Sequence, residues 1–453
     1  MSLYSAFYSG LSGLAVNANA LNVVGNNLSN INTVGFKGSS TRFSDIFSAS
    51  LGGISTAGNG NPIQFGLGTQ VSGVSQSFAQ SSFQSTSNAL DMAIQGNGFF
   101  TLQTPTGQQV YSRDGSFSLT NSGTLVAGDG SKVMGWVQDP VTGLVNTSAA
   151  LAPVQINAGT ASPALATKTV TTGMNLNASD PANANSTFTT PIQVYDSQGN
   201  PQTLTEIYVK TGPNTWSYSV TGPAGSTITV NGAAVTFPLP VTNPVTLPPV
   251  MGYLNFGATG GLTSVTPVNP VTQVSLATVL ANSIAANPVL SIDWGNGAAV
   301  KPISINMVNL AGTTNVTQYS ATSAATSNSQ DGYGSGSLTS MTVDQNGVIS
   351  GSFTNGQVIQ LAQVAISTFN NVNGLVQSGN NHWAQSLSSG SPTIGVANSG
   401  GRGGVLGSNL ELSNVDVATQ FTNMILNQRG YEANAKIVTT TDQLLQDTLN
   451  LKQ

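Results

Sequence analysis

Few residues in this chain could carry out chemistry, and they lie far apart. His382 is the only histidine, and the chain has no cysteine. Thiolate metal sites, cysteine nucleophiles and disulfide frameworks are therefore excluded, and a Ser–His–Asp triad or a zinc centre has a single imidazole to use. We expect His382 to have a structural role or to lie at the surface.

Three short segments resemble parts of ion- or nucleotide-binding loops without completing them. Asp344-Gln345-Asn346-Gly347 and Asp129-Gly130 do not meet the EF-hand pattern, and Gly96-Asn97-Gly98 is not followed by a helix pattern or by the lysine of a phosphate loop. The acidic residues are sparse and scattered, so paired carboxylates for acid–base catalysis are missing. The sequence predicts turns at these places, no catalytic, cofactor or metal site, and a protein that is not an enzyme.

Charge is scarce throughout the chain. Only 6% of the 453 residues are charged, and 11 basic residues in a chain of net charge −5 leave no basic surface for a phosphate backbone. No apolar run approaches the roughly 18 residues that span a membrane. The N-terminus lacks the basic and apolar regions of a cleavable signal peptide. We therefore expect no nucleic-acid partner, no membrane insertion and, for an exported protein, no signal cleavage.

The two ends of the chain carry the strongest pattern, an apolar stripe with steps of three and four residues. Such steps place the stripe on one helical face. Each stripe is too long and apolar to remain in water alone, so it needs the other terminus or copies of itself. The predicted subunit-interface residues are Leu3, Phe7, Leu14, Leu21, Val24, Leu28, Ile31, Phe421, Met424, Tyr431, Val438, Leu445 and Leu449.

Polar residues in these stripes add three local expectations. Ser413 to Asp416 fits a capping box at the start of the C-terminal helix. Gly430, in the middle of that helix, is either a tolerated glycine or a point of close backbone approach by a packed neighbour. The N-terminal helix is rich in amides, which we expect to form hydrogen bonds between neighbouring helices: Asn17, Asn26, Asn27, Asn30 and Asn32.

Between the termini the sequence is typical of β-structure. Strand patterns flank Asn121-Ser122-Gly123 and Asn231-Gly232, which predicts two hairpins. The small polar residues of 321–337 are typical of a linker. We predict a multidomain α+β fold, with paired coiled-coil-like terminal helices and nested, mainly antiparallel β-domains. The predicted divisions are a helical domain (1–31 and 412–453), an extended connector (32–70), a first β-domain (71–145 and 338–411) and an inserted outer β-domain (146–337).

Long motifs at both ends resemble the flagellar rod–hook family of axial proteins. They are SLYSAFYSGLSGLAVNANALNVVGNNLSNINTVGFKGS from Ser2 and LELSNVDVATQFTNMILNQRGYEANAKIVTTTDQLLQDTLNLK from Leu410. LDMAIQGNGFF from Leu90 and YSRDGSFSLTNSGTLV from Tyr111 resemble the family's first β-domain. IQVYDSQGNPQTLTEIYVKTGPNTWSYSV from Ile192 is similar to the outer domain of the hook members of this family.

The resemblance implies a structural subunit that polymerises with many copies of itself into the curved tubular hook. That tube would be a flexible universal joint that transmits torque from rod to filament and encloses an export channel. The implied partners are the distal rod protein, the hook cap protein, the hook–filament junction protein and the flagellar type III export apparatus. The implied location is the hook and basal body at the cell surface. Two alternatives remain, a distal rod-type subunit and a secreted β-rich adhesin or surface protein.

Overall fold

The computed structural model describes residues 3–46, 48–50, 64–139, 144–156, 161–230, 233–236, 249–268, 279–280, 288–307 and 314–450. It is mostly β-structure with one long helix at each end, and its sheets are mainly antiparallel. The chain divides into two units. The first contains residues 1–158, 339–352 and 358–453, and the second contains residues 159–338 and 353–357.

The first unit contains both helices and most of the shorter strands. The elements are α1 (Leu3–Ser29), β1 (Ser39–Asp45), β2 (Ser48–Ser50), β3 (Gln64–Gly66), β4 (Thr69–Gln76), β5 (Phe83–Ser85), β6 (Met92–Gln95), β7 (Phe99–Gln103), β8 (Gln109–Ser112), β9 (Phe117–Leu119), β10 (Leu125–Ala127), β11 (Lys132–Val137) and β12 (Ala152–Pro153). After the second unit follow β26 (Leu338–Val343), β27 (Val348–Phe353), β28 (Val358–Val364), β29 (Ile366–Thr368), β30 (Val376–Gln377), β31 (His382–Ala384), β32 (Thr393–Gly395), β33 (Gly404–Gly407), β34 (Asn409–Glu411) and α2 (Val417–Asn450).

The second unit consists of strands from the middle of the chain. They are β13 (Thr169–Asn175), β14 (Thr187–Tyr195), β15 (Pro201–Gly212), β16 (Thr215–Thr221), β17 (Thr227–Val230), β18 (Ala233–Thr236), β19 (Gly252–Phe256), β20 (Leu262–Pro267), β21 (Val279–Leu280), β22 (Val289–Asp293), β23 (Lys301–Asn306), β24 (Val316–Thr317) and β25 (Ala324–Gln330).

In the first unit, one large sheet has the strand order β26-β27-β28-β11-β7-β8-β31-β30. Its core includes Met92, Phe100 and Ile349, all fully buried. The N- and C-terminal halves of the unit are joined by further antiparallel pairs, β5 with β34 and β6 with β33. Strands β1 and β4 form a separate antiparallel pair beside the helices, within and just after the predicted connector. Residues 47 and 51–63 of that connector lie outside the described residues.

In the second unit, two sheets share one core. One sheet has the order β18-β17-β22-β23-β13-β24, with β25 also on β13, and the other has the order β14-β15-β16-β19-β20-β21. Val170 and Ile303 come from the first sheet, Tyr208 and Trp216 come from the second, and all four are buried in the same cluster. This is the face-to-face packing of a β-sandwich.

Both predicted hairpins are confirmed. Leu119 pairs with Leu125 across Asn121-Ser122-Gly123, and Ile228 pairs with Val235 across a turn that lies outside the described residues. The predicted linker at 321–337 is wrong, because Ala324–Gln330 forms β25, which pairs antiparallel with β13. This strand is held by backbone hydrogen bonds at a sheet edge and needs no apolar side chains to form.

The predicted capping box is also wrong. Helix α2 begins at Val417, and Asp416 is its N-cap, because the Asp416 carboxylate accepts a hydrogen bond from Thr419 N at 2.7 Å. That hydrogen bond lowers the pKa of Asp416. Ser413 lies before the helix, where its carbonyl oxygen accepts a hydrogen bond from Ser81 Oγ.

Candidate assembly surface of the terminal helices

Helices α1 and α2 pack antiparallel along a line of small residues. A β-carbon at Gly10 would lie 3.1 Å from Val438 Cγ2, and one at Gly13 would lie 2.6 Å from the side-chain amide of Asn434. The contact therefore depends on glycine, because any larger residue at these positions would push the helices apart.

Two glycine–asparagine pairs in this contact are reciprocal. The Asn434 amide donates to Gly430 O at 2.8 Å on its own helix and lies against Gly13 of α1. The Asn17 amide donates to Gly13 O at 2.7 Å and lies against Gly430 of α2, where a β-carbon would be 2.8 Å from Asn17 Oδ1. We call Gly13, Asn17, Gly430 and Asn434 the glycine–asparagine contact. Gly430 is thus a point of close approach, by a side-chain amide rather than by backbone.

Within the chain, Asn27 makes the expected hydrogen bond between the two helices. Asn27 is buried and donates to Gln420 Oε1 of α2 at 3.1 Å and to Ser39 O of β1 at 2.7 Å, while its own Oδ1 accepts from Ser39 N. Asn17 bonds to its own helix, and Asn30 bonds to Asn26 within one turn. Asn27 therefore fixes the end of α1 to both β1 and α2.

The predicted stripe is only partly the face that packs within the chain. The buried positions of α1 are Gly10, Gly13, Val16, Ala20, Val24 and Asn27. Of the predicted residues, Val24 is buried, the side chain of Leu3 lies outside the described residues, and the others are half-buried: Phe7, Leu14, Leu21, Leu28 and Ile31. The buried face of α1 is therefore displaced from the predicted stripe. Close packing against α2 favours the small residues that lie beside the large apolar ones.

On α2, large apolar side chains remain in contact with water. Met424, Val438 and Leu445 are half-buried on the side that faces α1, but Phe421, Tyr431 and Leu449 are exposed. The exposed set also includes residues outside the predicted stripe, namely Ile425, Leu426, Ile437 and Leu444. An apolar surface of this extent along one helix is typical of a protein–protein contact.

A buried ion cluster joins the segments that adjoin the two helices. Lys37 Nζ lies 2.6 Å from Glu411 Oε1, and Arg113 Nη1 lies 3.3 Å from Glu411 Oε2. Backbone groups complete the site: Lys37 donates to Ala79 O, and Arg113 donates to Gly96 O. Burial lowers the pKa of both Lys37 and Arg113, and the Glu411 carboxylate opposes that effect. The cluster therefore locks the chain after α1 to the chain before α2.

Four families of known proteins match successive segments of the chain. Residues 7–37 match the family described as "Flagella basal body rod protein", 93–170 match "Flagellar hook protein FlgE/F/G D1 domain", 157–333 match "Flagellar basal body protein FlaE D2 domain" and 407–451 match "Flagellar basal body rod FlgEFG protein C-terminal". The chain is 34% identical to "Flagellar hook protein FlgE" of Borreliella burgdorferi over 99% of both chains. The chain belongs to the flagellar hook protein family.

Other relatives of this hook-family chain agree with that assignment. It is 30% identical to "Flagellar hook protein FlgE" of Escherichia coli, over 99% of this chain and 100% of the relative. The crystal structure of Helicobacter pylori flagellar hook protein FlgE2 matches with a TM-score of 0.48 at 16% identity, over 72% of this chain and 100% of that one. The chain is a structural subunit of the hook and not an enzyme, and neither the rod-type nor the adhesin alternative is favoured.

His382, Asp129 and Asp344, which the sequence analysis considered for catalysis or metal binding, make structural contacts in this hook-family chain. His382 is buried in β31, with Nδ1 at 3.6 Å from Asp129 Oδ2, and burial lowers its pKa. The carboxylates of Asp129 and Asp344 accept backbone amides of Ser131 and Asn346 and so close the predicted turns. Among the described residues, no three acidic or imidazole groups lie close enough to bind a metal ion.

No helix in the described part of the chain is both long and apolar enough to cross a membrane.

The sequence pattern did not reveal the ion cluster. Its three members are separated by long stretches of chain, and no motif joins them. The signal available in the sequence was the scarcity of charged residues, since Lys37 is one of only three before Leu90. In a chain so poor in charge, an ion retained beside a terminal helix is a candidate for a buried partner.

Proposed function

We propose that this chain polymerises through its terminal helices into a curved tube. The observation that carries the proposal is the set of large apolar side chains left exposed on several sides of α2, such as Ile425, Leu444 and Leu449 at 57%, 56% and 68% exposure. A monomer gains nothing by exposing them, whereas burial of the part still exposed contributes roughly 1–2 kcal/mol for each side chain at a subunit contact.

Each predicted domain would form one layer of such a tube. Residues 1–31 and 412–453 would pack with other copies in the manner of a coiled coil and form an inner tube around a channel. The connector (32–70) and the first β-domain (71–145 and 338–411) would form a middle layer, and residues 146–337 would form the outer surface. The ion cluster supports a firm junction between the helices and the first β-domain, because it links the segments beside both helices to Arg113.

We propose that this tube works as a universal joint between rod and filament. A bending tube needs contacts on its outside that exchange at low cost, and a surface of Ser, Thr, Asn and Gly forms such contacts because it carries little fixed charge. The strand β25 is an example, since six of its seven residues are exposed and none is charged. The firm contacts would remain with the apolar residues of the inner helices.

The partners proposed for this subunit follow from the family. They are the distal rod protein at the base of the tube, the hook cap protein during growth, the hook–filament junction protein at the far end and the flagellar type III export apparatus. Copies of the chain itself are the main partner. The predicted interface residues of both stripes, from Leu3 to Ile31 and from Phe421 to Leu449, would make the contacts between copies.

The test compares two sets of serine substitutions in the full chain. Ile425→Ser with Leu444→Ser removes exposed apolar groups from α2, and the control, Val358→Ser with Val376→Ser, removes comparably exposed groups from strands β28 and β30. Electron microscopy and sedimentation would measure polymer formation, with purified distal rod as a seed. We expect the helix variant to raise the critical concentration by more than tenfold and the control to leave it nearly unchanged. Equal effects of the two variants would contradict assembly through the helices.

A further inference from the structure

A groove lies between α1, β1 and α2, and encloses about 300 Å³. Its floor is formed by α1, one wall by β1 and the other wall by α2. We call it the α1–β1–α2 groove, and its principal lining residues are Ala20, Val24, Thr41, Phe43, Asn423 and Leu426. Phe43 and Leu426 lie at its rim and are 50% and 63% exposed. The groove is therefore open to a ligand and offers that ligand apolar surface.

Polar groups in this groove lack partners within the described part of the chain. The side chains of Asn423 and Asn427 line the α2 wall, and neither amide forms a hydrogen bond to the described residues. A suitable occupant would thus combine an apolar body with a hydroxyl that can both donate and accept hydrogen bonds.

The same chain carries side chains of that chemistry near the start of α1. Tyr4, Tyr8 and Leu11 are 63%, 62% and 47% exposed. Their spacing of four and three residues places them on one side of the helix. Gly10, Gly13 and Asn17, which contact α2, lie on the opposite side of that helix. We call Tyr4, Tyr8 and Leu11 the tyrosine face.

We propose that the tyrosine face of one copy docks into the α1–β1–α2 groove of a second copy. The inference rests on the proposed function and names the contact through which the polymer grows. The tyrosine rings would cover Phe43 and Leu426, and the phenol hydroxyls would meet the amides of Asn423 and Asn427. Tyrosine suits this contact because it joins a large apolar ring to a polar tip with few rotatable bonds.

The occupant is a second copy because the chain cannot fill its own groove. Tyr8 and the floor residue Ala20 lie on one continuous helix, 12 residues apart, so they are separated by about 18 Å along its axis. The contact joins two different surfaces of the same molecule, so each copy leaves a free tyrosine face and a free groove. A heterologous contact of this kind that does not close into a ring produces an open helical polymer.

Disulfide cross-linking tests this contact, since the chain has no cysteine of its own. Full-length Tyr8→Cys and Asn423→Cys variants are mixed in equal amounts, polymerised under reducing conditions, freed of reductant and oxidised with diamide. The control replaces Asn423→Cys by Gln443→Cys, an exposed position of α2 away from the groove. A second pair, Leu11→Cys with Leu426→Cys, covers the case in which the loss of Tyr8 prevents polymerisation.

We expect covalent dimer in the mixed polymers of both groove pairs, at least tenfold above the control mixture and above each variant alone. Polymers that form normally but yield no dimer above the control for either groove pair would overturn the inference and leave the proposed function intact. Failure of the unmodified chain to polymerise on a rod seed would overturn the proposed function, and this inference with it.

Discussion

The glycine–asparagine contact predicts that two glycine-to-alanine substitutions in one helix will have opposite effects. In an isolated helix, alanine is more favourable than glycine by about 1 kcal/mol. At Gly13 the new β-carbon would lie 2.6 Å from the Asn434 amide, which is itself held by a hydrogen bond to Gly430 O. Moving that amide forfeits about 1 kcal/mol of hydrogen bonding, and overpacking costs about 1–3 kcal/mol more. We expect Gly13→Ala to destabilise the helix pair by about 1–3 kcal/mol.

Gly25 is the matched control for this prediction. It lies in the same helix and is exposed, and a β-carbon added there would have no neighbouring atom within 4 Å. Gly25→Ala should therefore show the helix-propensity gain alone, about 1 kcal/mol of stabilisation. Urea titration followed by far-ultraviolet circular dichroism measures both, because α1 and α2 supply nearly all of the helix signal. Equal stabilisation by the two variants would refute the close approach of Asn434 to Gly13.

Three further predictions concern buried charge, pH and helix capping. Lys37→Met leaves its buried carboxylate partner short of a counter-ion and should cost about 3–5 kcal/mol, whereas Arg429→Met, at an exposed pair, should cost under about 0.5 kcal/mol in the same urea titration. Burial raises the pKa of Glu206 to about 7, so the native state holds a proton that the unfolded chain has released. The contribution of Glu206 to stability should be greatest below about pH 4.5 and fall as the pH rises to about 7, by up to about 3 kcal/mol. In urea titrations across this range, the difference in stability between the unmodified chain and Glu206→Gln should change by that amount. Asp416→Ala should speed amide exchange at Thr419 and leave the middle of α2 unchanged, and slow exchange at Thr419 in that variant would contradict the assigned cap.

The class of the fold could be predicted because its signals are local. A 3.6-residue period marks a helix wherever it occurs, and an Asn-Gly turn between alternating strands marks a hairpin. The period did not identify which edge of the apolar band packs inside the chain. Phe7, Leu14 and Leu21 follow the strongest pattern, yet they are half-buried, because the close contact uses Gly10 and Gly13 beside them.

Other features depend on groups that the sequence keeps far apart. Strand β25 has no apolar alternation, so only its pairing with β13 reveals it as a strand. The ion cluster depends on three charges from three separate segments, and no spacing rule connects them. The resemblance of the terminal motifs to the axial family supplied what these local patterns could not, namely the assembly to which the helices contribute.

The Lys37–Glu411 ion pair also sets an order for folding. Its two residues are 374 positions apart, whereas most of the second unit is one continuous segment, 159–338. Closing a loop costs more entropy as it lengthens, by only about 0.6 kcal/mol for each doubling, but the loop cannot close at all before its far end exists. The β-sandwich of the second unit can therefore fold in a nascent chain before Glu411, the partner of Lys37, has been synthesised. The first unit becomes complete only when synthesis has passed Glu411 and α2, so an unfinished chain cannot present the paired helices that a polymer would accept.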